Sequence, residues 1–253
     1  MKKISLVFIM ALCTFIYSSQ VIAETILVGG YKFPPFVEKD DQQKVFGITI
    51  DLIKAMNIFQ KKIKFKFIST SAKRRYLDFD KKKFDIIMFE DIKWGWKSKP
   101  IEASKGILKG GEVFITKSKS SKNQSYFNSL KNKKLAVILG YHYAFAKFNA
   151  DEKFLRNNFN IQFSTNHKGN IMKVLIERAD ISIVTLSYLK KFLKDNPDKK
   201  SKLMISTKLD QVYNHTILLR KKSKFSKNEM DKLLTKMVKA GALSRLWKKY
   251  GIE

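Results

Sequence analysis

Strand-like and helix-like segments alternate along most of the chain, and this alternation limits the possible fold more than any other feature. Short apolar or alternating segments occur at 25–28 ("TILV"), 63–68 ("IKFKFI") and 84–89 ("FDIIMF"). Between the first two, the segment at 48–62 ("ITIDLIKAMNIFQKK") carries apolar side chains at helical spacing. Strands that are separated by helices usually lie parallel in one sheet, so this part of the chain is predicted to form an α/β unit.

The same pattern begins again in the middle of the chain. Further strands are predicted at 111–117, 133–139, 160–165 and 180–185, with helices predicted after 143 and after 166. The chain ends in a long amphipathic helix, whose apolar stripe is Met230, Leu233, Leu234 and Met237, and in a second short helix after Gly241. A second α/β unit is therefore predicted inside the first.

Two segments connect the predicted units, "GEVFITKSK" leading out and "NHTILLRKKS" leading back. In open α/β sheets a ligand lies beyond the carboxyl ends of the strands. Two such units that face each other would enclose a cleft, with a hinge at the two connecting segments.

The first 23 residues have the composition of a secretory signal peptide. Lys2 and Lys3 precede a short apolar segment, and "VIA" places small residues before a cleavage site after Ala23. A membrane anchor is the alternative, although the apolar segment is short for a membrane span of about 20 residues. Cys13 is the sole cysteine, so the mature chain would contain no thiol nucleophile, no cysteine metal ligand and no disulfide. This combination predicts a periplasmic protein.

Charge and motifs exclude further classes of protein. The formal net charge of +29 would suit a nucleic-acid binder, but the lysines are spread over the whole chain and the export signal separates the protein from DNA, so no nucleic-acid partner is expected. With 44% hydrophobic residues the chain is globular. It contains neither a nucleotide-binding nor a hydrolase motif, and three histidines supply few metal ligands. No enzyme activity, metal or cofactor is expected.

Several segments, in their order and spacing, resemble a known family. They are "FPPF" at 33–36, "GITIDLIKAM" at 47–56, "KKKFDIIM" at 81–88, "LG" after "KKLAVI", "ERADISIV" at 177–184 and "GALSRLWKKYGIE" at 241–253. The chain is similar to the periplasmic solute-binding proteins of family 3, which deliver polar amino acids and related solutes to ABC transporters.

The resemblance covers residues 25–252 and implies an α/β clamshell of two lobes, each with a mostly parallel sheet. Lobe 1 is expected at 24–114 plus 217–253, lobe 2 at 118–212, and the hinge strands near 112–118 and 212–217. A small polar ligand, an ABC transporter membrane permease as partner and a monomeric state are implied as well.

The segment "LGYHYAFAKF" at 139–148 is interpreted as a strand that leads into a helix through a turn at Gly140. Tyr141, His142 and Tyr143 stand where a helix cap is expected, so the first N–H groups are left without a side-chain partner. In the family, a ligand carboxylate docks at this turn. The N–H groups of 141–143 are therefore expected to meet an anionic or strongly polar ligand group. Packing of these aromatic residues against the lobe surface is the alternative.

At the family's other ligand-binding positions, this sequence matches the usual residue types less closely. Phe33 matches the aromatic residue that stacks on the ligand, with core packing as the alternative interpretation. Lys97 lies near the position of the arginine that clamps an α-carboxylate, and Thr185 lies near the position of the aspartate that holds an α-amino group. Lysine lacks the planar fork of arginine. Both departures make a standard α-amino acid a doubtful ligand.

Four further residues are candidates for the ligand site. Arg74 stands eleven residues before Asp85, a spacing that resembles a branch of the family in which this arginine faces the cleft. Glu90 follows a predicted strand and would suit a cationic ligand group, and Trp94 and Trp96 would stack on a flat or cationic ligand. The alternative interpretations are surface salt bridges for the two charged residues and core packing for the two tryptophans.

Three functions are compatible with this interpretation. Delivery of a captured solute to an importer is the leading one, and a ligand sensor that signals to a membrane kinase cannot be separated from it by sequence. The third is an enzyme derived from the same fold, in which His142 and Glu90 would act as an acid and base pair.

Overall fold

A computed structural model describes residues 24–252. The predicted signal peptide at 1–23 and its cleavage site lie outside the described residues. The strands are β1 (Glu24–Gly30), β2 (Glu38–Lys39), β3 (Val45–Phe46), β4 (Ile63–Ser69), β5 (Ile86–Glu90), β6 (Ile101–Ala103), β7 (Leu108–Lys117), β8 (Leu135–Ile138), β9 (Ile161–Ser164), β10 (Ile181–Thr185) and β11 (Leu203–Arg220). The α-helices are α1 (Ile48–Phe59), α2 (Arg75–Asp80), α3 (Glu152–Asn158), α4 (His167–Leu175), α5 (Leu186–Asp195), α6 (Lys227–Lys239) and α7 (Ala242–Tyr250).

Two parallel groups of strands are joined by two long antiparallel strands. The order along the sheet is β4-β1-β5-β11-β7-β10-β8-β9, and β6 pairs with β11. Strands β4, β1 and β5 are parallel, as are β10, β8 and β9. We call the part around β1, β4, β5 and β6 lobe 1 and the part around β8, β9 and β10 lobe 2. The predicted two-lobed α/β fold with mostly parallel lobe sheets is confirmed.

Strand β11 runs through both lobes. Its residues from Leu203 to His215 pair with β7, and those from Thr216 to Arg220 pair with β5 and β6. The pairing with β7 shifts register near Leu209, and the pairing with β5 shifts between Thr216 and Ile217. The bulges bend the strand and increase its twist, so one continuous strand can turn from one lobe sheet into the other.

The helices of lobe 1 bury the apolar faces that the sequence predicts. The predicted stripe on α6 is buried in full, namely Met230, Leu233, Leu234 and Met237. Ser226 caps this helix, and a reciprocal bond from Glu229 completes a capping box. No helix between residues 24 and 252 is long and apolar enough to cross a membrane.

Two helix predictions in lobe 2 need correction. The helix predicted after 143 begins with only a short 3-10 turn, Ala144–Ala146, because Lys147 and Phe148 have left-handed φ angles of 53° and 60°. Helix α3 begins later because Asp151 accepts the N–H of Phe154 and so provides the cap that the aromatic residues cannot supply. Helix α5 was not predicted, although its apolar residues Leu189 and Phe192 are buried at helical spacing.

Candidate functional site

The lobes touch at the turn that follows β8. Gly140 has a φ of +80°, and a Cβ atom placed on it would lie 2.8 Å from the backbone nitrogen of Lys73 and 2.9 Å from the carbonyl carbon of Ala72. Real Cβ atoms do not approach backbone atoms so closely, and the φ value favours glycine as well. Glycine at this position therefore allows the turn of lobe 2 to rest against the backbone that leads into α2 of lobe 1.

Aromatic side chains from both lobes meet beside this contact. The ring of Phe33 stands perpendicular to that of Tyr141 at 5.6 Å and to that of Trp94 at 6.1 Å, and it stacks on Tyr31 at 5.8 Å. Such edge-to-face and offset arrangements are the favourable geometries for aromatic pairs. Aromatic rings of the two lobes are thus in direct contact at the interface.

These four rings enclose a small cavity together with three polar side chains, Arg75, Glu112 and His142. The cavity volume is about 10 Å³, which is close to the space that a single water molecule requires. The structure therefore shows the two lobes closed on each other, with their own side chains filling the space between them.

Arg75 forms a buried ion pair on the lobe 1 side of the cavity. Its Nε lies 3.3 Å from Oε1 of Glu90, and both side chains are at most 1% exposed. The guanidinium lies between the rings of Tyr31 and Tyr76, 4.7 and 4.5 Å from their centroids. Trp96 donates its indole N–H to Oε2 of Glu90 at 2.7 Å. Burial raises the pKa of Glu90, while Arg75 and the indole oppose that effect by stabilising the carboxylate.

Arg75 also reaches across to lobe 2. Its Nη1 donates to the carbonyl of Gly140 at 3.2 Å and to the carbonyl of Ala72, and its Nη2 lies 3.5 Å from Nδ1 of His142. Burial and the nearby guanidinium lower the pKa of His142 to about 3. The imidazole is therefore neutral near pH 7, and the guanidinium contributes both to the ion pair of lobe 1 and to the contact between the lobes.

Glu112 is the carboxyl group on the hinge side of the cavity. It lies on β7 and is 2% exposed. Gln211 on β11 donates from Nε2 to Oε2 of Glu112 at 2.9 Å and to the carbonyl of His142 at 2.7 Å, and it accepts the indole N–H of Trp94 at 3.0 Å. Burial, and then the charge of Asp210, raise the pKa of Glu112 to about 8.

Asp210 caps the turn after β8. Its two carboxylate oxygens accept the N–H groups of Ala144 and Phe145 at 2.8 and 2.9 Å. The N–H of Tyr141 donates within its own turn to Ile138. The first N–H groups of the short helical turn are therefore bound by a carboxylate of the chain itself, which lies on β11, 66 residues away from Ala144.

Comparison with known proteins identifies the family. Residues 26–253 match the bacterial extracellular solute-binding proteins, family 3. The chain belongs to this family. No curated protein sequence matches it.

Solved structures share the fold of this solute-binding protein at low identity. An ancestral arginine-binding protein bound to arginine is 21% identical, with 89% of this chain and 97% of that chain covered and a TM-score of 0.68. A putative binding component of an ABC transporter from Wolinella succinogenes, complexed with lysine, is 18% identical, with 90% and 96% covered and a TM-score of 0.70. AncCDT-1, an ancestral amino acid-binding protein and precursor of cyclohexadienyl dehydratase, is 22% identical, with 90% and 95% covered and a TM-score of 0.68.

Five of the predicted site residues meet at the contact between the lobes of the solute-binding protein. Phe33, Trp94, Tyr141 and His142 line the cavity, and Gly140 forms the close contact beside it. Glu90 lies directly behind Arg75 and not at the cavity surface.

Three other predicted residues are buried but do not line the cavity. Trp96 packs on Phe79 in lobe 1 and acts on the site only through its bond to Glu90. The hydroxyl of Tyr143 accepts the N–H of Ile138 at 2.9 Å inside lobe 2. Thr185 Oγ1 lies 3.0 Å from Nε2 of His167.

The structure places Arg74 and Lys97 away from the cavity. The side chain of Arg74 is 65% exposed and lies 4.0 Å from Asp78, while the next residue, Arg75, is buried at the cavity. Successive helical residues point about 100° apart, because an α-helix has 3.6 residues per turn, so the two arginines at the start of α2 point in different directions. Lys97 is exposed.

Sequence reasoning missed several polar and aromatic residues at the site, namely Tyr31, Arg75, Glu112, Asp210 and Gln211. One of them left a signal in the sequence. Glu112 is the single charged residue in "GGEVFIT", a segment whose apolar neighbours predict a buried strand. Charged residues are rarely buried without a reason, so this pattern could have made Glu112 a candidate. Within residues 24–252 no cluster of three or more His, Cys, Asp or Glu residues is arranged to hold a metal ion.

Proposed function

We propose that this protein captures a small polar solute, an amino-acid-like or related compound, between its lobes in the periplasm and delivers it to the membrane permease of an ABC importer. One observation carries the proposal: charged and aromatic side chains from both lobes converge on one buried cavity. The proposed lobes are 24–114 plus 217–253 and 118–212, with hinges near 112–118 and 212–217. We propose that the exported chain acts as a monomer once the signal peptide has been cleaved off after Ala23.

Closure supplies the mechanism. A ligand that touches Arg75 or Phe33 on one side and His142 or Glu112 on the other makes the full set of contacts only when the lobes are together. Such a ligand shifts the population from open to closed lobes by the difference of its affinities for the two states. The closed shape is then the signal for the permease. The arginine and lysine in the two solved structures named above support an amino-acid-like ligand.

The polar groups support binding rather than catalysis. His142 and Glu90, the predicted acid and base pair, lie on opposite sides of Arg75 and each contacts its guanidinium. With a pKa of about 3, His142 is a poor proton acceptor at neutral pH. We propose no reaction at this cavity.

A thermal-shift screen tests the proposal. The mature protein is heated with amino acids, oligoamines, small peptides and organic acids, each at high concentration. A ligand at 100 times its dissociation constant adds about 2.7 kcal/mol to the free energy of unfolding, so a true ligand raises the melting temperature clearly. Phe33→Ala, which removes an aromatic ring that lines the cavity, should abolish the shift, whereas the exposed Lys119→Ala should keep it. A screen without a hit, or an equal loss in both variants, would contradict the proposal. Mass analysis of each hit after incubation detects turnover.

A further inference from the structure

The groups that would bind a carboxylate at this cavity are already engaged. Lys97, which the family resemblance puts near the carboxylate-clamping arginine, is exposed and away from the cavity. The guanidinium of Arg75 is neutralised by Glu90 at 3.3 Å, and one of its nitrogens donates to two carbonyls. A cation paired in this way offers little attraction to a second anion, because the pair has no net charge.

Three N–H groups of the turn beside the cavity, those of Tyr141, Ala144 and Phe145, are engaged as well. The N–H groups of Ala144 and Phe145 donate to Asp210 at 2.8 and 2.9 Å. An incoming carboxylate would have to displace a carboxylate that belongs to the chain, and it would meet the negative charge of Asp210. The turn thus disfavours the anionic end of an α-amino acid.

Unlike Arg75 and the N–H groups bound by Asp210, which already have charged partners, Glu112 is a buried carboxyl group without a cationic partner. Among residues 24–252 it forms no ion pair, and its hydrogen-bonding partner is the neutral amide of Gln211. The other groups around it come from four elements: Asp210 and Tyr213 on β11, Thr185 at the end of β10, Tyr141, His142 and Tyr143 on the turn after β8, and Arg75 on α2. Of these, Arg75 alone is cationic near pH 7, and it is paired with Glu90.

The walls of the cavity suit a cation. Tyr31, Phe33, Trp94 and Tyr141 present aromatic rings to the same space as Glu112. Aromatic faces attract organic cations through the ring quadrupole, most strongly where water is excluded. A carboxylate beside several aromatic rings therefore combines two groups that recognise ammonium or guanidinium.

We propose that the cavity binds an organic cation that lacks a carboxylate, with its ammonium or guanidinium group against Glu112 and the aromatic rings. This inference rests on the proposed function and specifies its ligand class. The cation enters when the lobes are apart, since the closed cavity holds only about 10 Å³, and it forms the ion pair that Glu112 lacks in the closed protein.

Calorimetric titration with two matched pairs of compounds tests the ligand class. Agmatine differs from arginine, and cadaverine from lysine, only in the absence of the carboxylate. At pH 8 we expect at least one amine to bind at least tenfold more tightly than its amino acid. Equal or tighter binding of the amino acid overturns the inference, and so does failure of both amines to bind. If another amino acid or an organic acid then binds in the thermal-shift screen, the proposed function stands and only the ligand class is wrong.

A variant pair tests the role of Glu112. Glu112→Gln keeps the size of the side chain and removes its charge, so we expect agmatine to bind at least tenfold more weakly. Glu102→Gln changes an exposed glutamate on β6 and should bind agmatine within twofold of the parent protein. Melting curves at pH 5 show whether both variants fold. A folded Glu112→Gln protein that binds agmatine as tightly as the parent overturns the assignment.

Discussion

On the lobe 1 side of the cavity a buried carboxylate and a buried guanidinium lie 3.3 Å apart, whereas on the hinge side the buried carboxyl of Glu112 has an amide as its partner. Burial raises the pKa of both carboxyl groups, but Arg75 opposes the rise for Glu90, whereas no cation opposes it for Glu112, whose pKa reaches about 8. Two carboxyl groups of similar burial thus differ in whether a cation offsets the cost of desolvation. The Arg75–Glu90 side, which we call the balanced wall, is a structural element, whereas the carboxyl of Glu112, which we call the unbalanced wall, can ionise against a cationic ligand.

The largest effect on stability should come from breaking the Arg75–Glu90 ion pair of the balanced wall. Arg75→Met removes the guanidinium and leaves Glu90 buried without its partner, so we expect the free energy of unfolding to fall by about 3–5 kcal/mol. Urea denaturation measures it.

Arg74→Met is the matched control, since Arg74 is 65% exposed and its replacement should change stability by no more than about 0.5 kcal/mol. If both variants lose the same small amount, the Arg75–Glu90 pair does not stabilise lobe 1 and the comparison of the two walls fails.

The next effect concerns the unbalanced wall and depends on pH. The pKa of Glu112 is raised to about 8 from a reference value of 4.5, so the folded protein favours the neutral form. The contribution of that form is complete below about pH 4.5 and is lost as the pH rises through 8. Glu112→Gln is always neutral, so its melting temperature should match the parent near pH 5 and exceed it near pH 9, by on the order of 3 kcal/mol in stability.

Melting curves between pH 5 and pH 9 measure this difference. Glu102→Gln, at an exposed position, should follow the parent at each pH. A constant offset between Glu112→Gln and the parent would show that Glu112 stays ionised in the folded protein and that the two walls do not differ.

The smallest effect on stability, and a large effect on shape, should come from the contact between the walls. Gly140→Ala places a Cβ within 3 Å of the backbone at Ala72 and Lys73, so the lobes cannot close fully. We expect a loss of about 1–2 kcal/mol from the left-handed φ and a larger radius of gyration in small-angle X-ray scattering.

Gly251→Ala is the control because Gly251 also has a positive φ, +62°, but a Cβ added to it would meet no atom of the described residues within 4 Å. It should lose similar stability without any change in radius. An unchanged radius for Gly140→Ala would mean that the lobes are apart in solution.

The fold was predictable from local patterns, whereas the site was predictable only in part. The periodicity of α1 and α6 and the short apolar strands follow from neighbours in sequence. The partners at the cavity are far apart in sequence, such as Asp210 and Ala144 or Gln211 and Glu112, and no local pattern joins them. The sequence did not show which of Arg74 and Arg75 faces the cavity, because that depends on how the first turn of α2 is oriented in the folded protein.

Trp94 gives this molecule an optical property of its own. Its indole lies between the lobes and donates to Gln211, while Trp96 and Trp247, the remaining tryptophans of the sequence, pack against Phe79 and Phe89 inside lobe 1. Separation of the lobes would hydrate one indole and leave the other two in place. The intrinsic fluorescence spectrum should therefore shift to longer wavelength when the lobes separate, without any added dye.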